Sequence, residues 1–299
     1  DLGNLENLAY LLKYDSVYGQ WEKEVSIKGS ALTIEGKEVA VLQIKDPAEL
    51  PWKKLGVDIV IESTGKFKTF EEINQHILAG AKKVILSAPS EVEEIKTVVL
   101  GVNENTLDGT ETIISNASCT TNNAAPMLKI IEELCGIEQA YITTVHSYTT
   151  DQSLHDQPHK DLRRARGAAQ SIVPTTTGAA KALTKIFPEL EGKIGGCGIR
   201  VPLADGSLTD ITFNVKREVS IEEINLAFKK ASETKLKGIL DYTEDPIVSV
   251  DIIGNQNSCL FDAQLTSVID KMVKIVGWYD NEIGYSSRII DLISFVSKK

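Results

Sequence analysis

Four cysteines and four histidines supply the nucleophile and base options of this 299-residue chain, and one of each stands in surroundings suited to covalent chemistry. Cys119 lies in Ser115-Asn116-Ala117-Ser118-Cys119-Thr120-Thr121-Asn122, where a β-type run ends in small capping residues. Ala124, Met127, Leu128, Ile131 and Leu134 then form one stripe and Gly136 ends it, which predicts a helix over 119–134 with Cys119 in its first turn. Unpaired N–H groups and the positive end of the macrodipole favour a thiolate there, and the thiolate is the nucleophilic form.

A base follows at a telling distance. Sixteen helical residues travel roughly 24 Å at ~1.5 Å each. Residues 139–146, as eight strand steps of ~3.3 Å, travel about 26 Å. A tight turn at Gly136 sends the strand back along the helix, so the two lengths nearly cancel and His146 returns to the level of Cys119. Cys135, Cys197 and Cys259 lack such flanks and keep the ordinary reading of a free cysteine, a small buried hydrophobe. The cysteine separations of 16, 62 and 62 residues fit neither a metal knuckle nor a small disulfide framework, so no metal is expected. Free thiols point to a reducing compartment, here the cytoplasm.

The elements that must position this pair fall into two styles. Up to about residue 118 the pattern alternates. Val57–Ile61 and Lys83–Leu86 read as strands buried on both faces. Between them, Thr69 and Glu72 form a capping box opening a helix to about Ala79, with Gly80 after it. Thr97–Val102 and Thr112–Ile114 read as further strands. This punctuation predicts a parallel α/β sheet. After about residue 140 come longer strand candidates: 140–147, 193–201, 208–216, 247–252, 260–268 and 272–279. A helix capped by Ser220 and Glu223 interrupts them, and 285–296 forms an amphipathic helix. The second half therefore reads as α+β with a largely antiparallel sheet.

The charge is −10, the wrong sign for a general polyanion binder, so nucleic acid is not expected as the primary partner. No apolar run approaches the ~20 residues that span a bilayer, so no membrane role is expected. Local basic residues still suit a small phosphate. Arg163-Arg164-Ala165-Arg166 reads either as a solvated face or as a phosphate site, and Thr175–Thr177 as a plain helix cap. Arg200, in an otherwise apolar Gly-Ile-Arg-Val-Pro run with no local acid, suggests an anion partner.

The motifs SNASCTTN at 115–122, HSYTTDQ at 146–152, DLRRARGAAQSIVPTTTGAAKA at 161–182, IRVP at 199–202 and WYDNEIGYS at 278–286 closely resemble the phosphorylating glyceraldehyde-3-phosphate dehydrogenases. The similarity runs from Asp1 almost to the last residue, with the motifs in the family's order. The resemblance implies a Rossmann-type NAD-binding domain over 1–118 and a catalytic domain over 119–281, with residues 282–299 a helix packing back on the first. It implies that the Cys119 thiolate attacks an aldehyde to give a thiohemiacetal, and that His146 acts as base and ion-pair partner. Hydride then passes to NAD, and inorganic phosphate cleaves the resulting thioester. Thr149 and Arg200 would bind the substrate phosphate. Ser118, Thr177 and the N–H of Gly178 would bind the attacking phosphate, with Arg164 serving either and Thr120 beside them. A homotetramer is implied, with 149–178 near a subunit interface.

For the cofactor, the resemblance implies Asp1 at the adenosine ribose, and Ser63, Thr64, Gly65 and Ser87 at strand ends. Asn281 would bond the nicotinamide carboxamide and Tyr285 would pack beside it. Asp1 and Pro158 favour NAD over NADP, while Gln157 departs from the apolar residue common in relatives. No G-x-G-x-x-G occurs, and Asp1 stands where the ribose acid would follow ~20 residues after such a loop. About 30 upstream residues are therefore expected to be missing from the sequence, so the domain would lack its first strand, Gly loop and helix. Asn123 also departs from a second cysteine frequent in relatives, so no local disulfide to Cys119 is expected. Erythrose-4-phosphate oxidation is an alternative, as is a truncated, non-catalytic subunit or a thiol acyl transferase.

Overall fold

A computed structural model describes residues 1–299, which divide into two compact units: Asp1–Val60 with Phe67–Val84, and Ile61–Lys66 with Ile85–Lys299. In the first unit Asn4 caps the Leu5–Lys13 helix by accepting from the Glu6 N–H. Val25–Lys28, Ala31–Ile34 and Lys37–Ala40 form an antiparallel meander. Glu35 and Gly36 both have positive φ at its second turn, the type I′ geometry that matches strand twist. The Thr69–Glu72 capping box forms as the spacing predicts and opens the Phe70–Leu78 helix. Trp52 Nε1 donates to His76 Nδ1 at 3.1 Å beneath it.

The second unit contains the carboxyl ends of strands Ile59–Glu62 and Lys83–Leu86. These belong to a parallel sheet ordered Ile59–Glu62, Lys83–Leu86, Ile113–Ser115, Lys96–Thr97. Its larger sheet runs Val173–Thr175, Ile194–Val201, Ile137–Ser147, Ser207–Val215, Met272–Tyr279, Cys259–Asp262, Leu240–Thr243, with Ser267–Ile269 also on Met272–Tyr279. Two of its pairings are parallel, Ile137–Ser147 with Ile194–Val201 and Leu240–Thr243 with Cys259–Asp262, and the others are antiparallel. The Cys119–Cys135 helix buries Met127, Leu128 and Ile131 fully in a core with Ile142, Ile211, Phe213 and Ile275. Phe228 and Phe261 stack there with centroids 3.8 Å apart.

Three expected strands differ. Of Thr97–Val102, only Thr97 is in a strand, at the end of Lys96–Thr97; Val98 and Val99 are buried outside regular structure and the chain turns from Leu100. Ile247–Ile252 is not a strand, since Ser249–Ile252 is a 3-10 turn. Residues 260–268 break at Ala263–Leu265, where Asp262 accepts from the Gln264 N–H and turns the chain. Apolar runs bury equally well in loops, so periodicity could not separate them.

Candidate active site

Ser118 caps the Cys119–Cys135 helix, its hydroxyl accepting from the Thr121 N–H, so Cys119 is the first helical residue. At the other end Gly136, with φ +71, accepts the turn, and its N–H closes on Ile131 and Glu132. The Ile137–Ser147 strand then runs back along the helix. The near-equal lengths meet as expected: Cys119 Sγ lies 3.4 Å from His146 Nε2. His146 is buried and Cys119 half-buried.

The parallel register sets His146 opposite Arg200. Arg200 Nη1 reaches His146 Nδ1 at 2.6 Å and donates to the Ser147 carbonyl at 2.9 Å. Nδ1 also lies 2.8 Å from that carbonyl. Only one Nδ1 bond holds at a time: donating to Ser147 leaves Nε2 an acceptor toward Cys119, whereas accepting from Arg200 puts the proton on Nε2. The edge of the His146 ring faces Tyr279, whose hydroxyl bonds both Thr120 and Thr144 at 2.9 Å.

Burial opposes the charged forms of both groups. It pushes the Cys119 thiol above its ordinary value, against the Thr120 N–H and the Arg200 charge, which pull it down. Burial, then Arg200, lowers His146 to about 4, with the Ser147 carbonyl opposing. Burial thus works against the thiolate that the helix terminus favours, and it keeps the imidazole lone pair free at pH 7.

A pocket of about 190 Å³ opens over Cys119, lined also by Ser118, His146, Arg164, Thr177, Gly178 and Arg200. Thr177 Oγ1 accepts from the Ala179 N–H at the start of the Ala179–Ile186 helix, and Gly178 is its N-cap. Arg164 Nε donates to Thr175 Oγ1 at 2.9 Å, and the guanidinium pairs with Asp151 and, at 3.6 Å, with Asp161. Hydroxyls, free N–H groups and two guanidinium groups make an anion cradle. Thr120 also lines this pocket. The Thr120 hydroxyl is taken by Tyr279. Thr149 does not line the pocket; its carbonyl accepts from the Gln152 N–H.

The cofactor candidates fall in several places. Tyr285 donates to the Ala117 carbonyl at 3.2 Å, two residues before Cys119, and burial pushes its hydroxyl up to about 12, against the pull of Ser87 beside it. Asn281 Oδ1 accepts from Ser147 and Ser207 hydroxyls at 2.9 and 2.6 Å, and its N–H bonds Asp205 at 3.3 Å. The carboxamide is thereby oriented with its amide nitrogen turned outward as a donor, which suits a nicotinamide carboxamide. Thr64 donates twice to buried Glu62, at 2.8 and 2.5 Å, and Gly65 has φ +69. Ser63 is exposed beside them. Asp1 lies in the first unit, where its carboxylate accepts from the Gly3 N–H at 2.8 Å.

Sequence reasoning missed Tyr279, Ser147, Ser207 and Asp205. Each acts through partners distant in the chain, 159 residues for Tyr279 and Thr120. Asp151 was also missed, although its position 13 residues before Arg164, on the same loop, was a usable signal.

Residues 118–281 match the family model described as the glyceraldehyde 3-phosphate dehydrogenase C-terminal domain, and residues 1–70 match that of its NAD binding domain. The chain is 52% identical over 301 aligned residues to glyceraldehyde-3-phosphate dehydrogenase 2 of Streptomyces avermitilis and to the Geobacillus stearothermophilus enzyme of that name. Each alignment covers all of this chain and 90% of the relative. A Mycobacterium avium relative is 51% identical, with 88% of its length covered.

Proposed function

The chain belongs to the glyceraldehyde 3-phosphate dehydrogenase family, and we infer from the Cys119–His146 pair at its centre that it carries out NAD-dependent phosphorylating oxidation of glyceraldehyde 3-phosphate to 1,3-bisphosphoglycerate. The 3.4 Å contact between Sγ and Nε2 carries this reading.

As Cys119 attacks the aldehyde carbon, its thiol proton passes to His146 Nε2, with Nδ1–H held by the Ser147 carbonyl. An imidazole lowered to about 4 is neutral at pH 7, so its lone pair is available. His146 Nε2 hands the thiol proton on to the former carbonyl oxygen, which regenerates the neutral imidazole, and the resulting thiohemiacetal keeps the substrate on the enzyme. NAD, when bound, supplies the hydride acceptor, with Asn281, Tyr285, Ser87, Ser63, Thr64, Gly65 and Asp1 as the residues that would hold it. His146 takes the hydroxyl proton as the hydride leaves, giving a Cys119 thioester. Inorganic phosphate cradled by Ser118, Thr177 and Gly178 attacks the thioester carbonyl and releases the acyl phosphate, returning the sulfur to Cys119. Arg200, with Thr149, takes the substrate phosphate, and Arg164 serves either anion.

The domain reading accompanies this one: 1–118 for the cofactor, 119–281 for catalysis, 282–299 returning to the first. Lys299 Nζ on the Leu107 carbonyl and Tyr285 on Ala117 support that return. Exposed Leu154, Leu162 and Ile172, up to 83% accessible, support a homotetramer closing over 149–178. Free thiols support a cytoplasmic site of action.

The test is NADH absorbance with the purified chain, NAD and either glyceraldehyde 3-phosphate or erythrose 4-phosphate, with and without inorganic phosphate. Phosphate-dependent NADH formation, faster with the triose and lost in Cys119→Ser, is expected. Equal rates without phosphate, or turnover of the tetrose alone, would overturn the reading.

A further inference from the structure

Between the Ile113–Ser115 strand and the Cys119–Cys135 helix the chain has three residues in which to turn, and the middle one, Ala117, has φ +55. A left-handed conformation at a residue with a Cβ is strained and persists only where the surroundings over-determine it. Ala117 is fully buried. Its N–H donates to Ser115 Oγ at 3.1 Å, and Ser115 Oγ donates to the Ala88 carbonyl at 2.6 Å. The Asn116–Ala117 and Ser118–Cys119 peptide planes, on either side of the Ala117–Ser118 link, are tied by a single atom. Asn122 Nδ2 donates to the Asn116 carbonyl at 2.8 Å and to the Ser118 carbonyl at 3.0 Å. Asn122 Oδ1, buried, has no partner. A side chain buried with an unsatisfied acceptor, whose donor spans the strained turn, is an expensive arrangement for mere packing.

We infer that Asn122 is a positioning residue for the reacting thiol: its amide clamps Ala117 in the left-handed conformation, and that turn sets where Cys119 Sγ stands relative to His146 Nε2. Release of the clamp lets Ala117 relax toward ordinary backbone. The peptide planes of Asn116 and Ser118 then rotate, and the first helical residue swings its sulfur off the imidazole. Because the device works through backbone strain, glycine at position 117, which adopts positive φ freely, makes the clamp dispensable. The inference rests on Cys119 and His146 being the reacting pair, but it is read without turnover.

The experiment compares the wild type with Asn122→Leu, Ala117→Gly and the double variant. The readout is the pH profile of Cys119 alkylation by iodoacetamide, followed by peptide mass spectrometry, with thermal unfolding in parallel. Asn122→Leu, of similar shape but without the donor, is expected to alkylate at least about tenfold more slowly at pH 7, since displacement by about 1 Å can cost 10²-fold in a reacting geometry. Ala117→Gly alone is expected within about twofold of the wild type. The double variant is expected to recover most of the rate. If Asn122→Leu fails to fold, Asn122→Ser, which leaves room for water, carries the same comparison. A wild-type profile in the clamp variant overturns the inference. So does a double variant that regains its melting temperature but not its alkylation rate. Phosphate-dependent NADH formation by the wild type tests the reaction assignment separately.

Discussion

At Cys119 and His146 the helix terminus and burial pull in opposite directions, and burial raises the thiol and lowers the imidazole. His146 has a folded value of about 4, below the ordinary 6.5, so between these values the unfolded chain binds the extra proton. Stability from this group is therefore full above pH 6.5 and is lost as the pH falls toward 4, by on the order of 3 kcal/mol at most. Denaturant midpoints at pH 4.5 and 7.5 should differ less in His146→Asn than in the wild type, and an unchanged difference would refute this. The same variant should lose about 10²–10⁴ in kcat as the proton acceptor disappears. Asn123, four residues after the nucleophile, spends its amide on the Ser258 and Trp278 carbonyls. With no thiol there, peroxide should carry Cys119 to sulfenic and higher acids, and an internal disulfide at Cys119 in intact-mass spectra would contradict this. The pair itself was legible from residue spacing, because helix rise and strand rise are fixed by backbone geometry. Arg200 was legible as an anion ligand but not as a neighbour of His146, since that contact comes from strand register.

Among elements, those with local instructions were readable: two capping boxes, at Thr69/Glu72 and Ser220/Glu223, open helices where the spacing predicts. The meander of Val25–Ala40 was not, since its strands are short and mostly exposed and carry little alternation. The turn into Ser207–Val215 gives a direct test. Gly206 has φ +86, and a Cβ there would press into the Ser249 carbonyl. Gly206→Ala should destabilise by about 2–4 kcal/mol, combining left-handed strain with a backbone shift. Because Ser207 next to it anchors Asn281, NAD affinity should weaken as well. Thermal unfolding and NAD titration measure the two effects, and a neutral substitution would show that the turn relaxes without penalty.

For the whole molecule, ligand linkage provides the test. NAD at about 100 times its Kd should add about 2.7 kcal/mol to unfolding, seen as a higher melting temperature, and no shift at saturating NAD would contradict cofactor binding. Light scattering should give four times the 32.7 kDa chain mass, whereas a monomer would leave Leu154, Leu162 and Ile172 uncovered and refute the tetramer. Residue types, helix caps and element lengths were written along the chain, because each depends on neighbours a few positions away. They were enough to find a nucleophile, its base and an acidic two-part α/β protein. What folding added was the company these residues keep: Tyr279 between Thr120 and Thr144, Arg200 on His146, Asn281 held by Ser147 and Ser207. It also set the protonation of the thiol and imidazole, because desolvation depends on how many distant segments close over a group, and no stretch of sequence records that number.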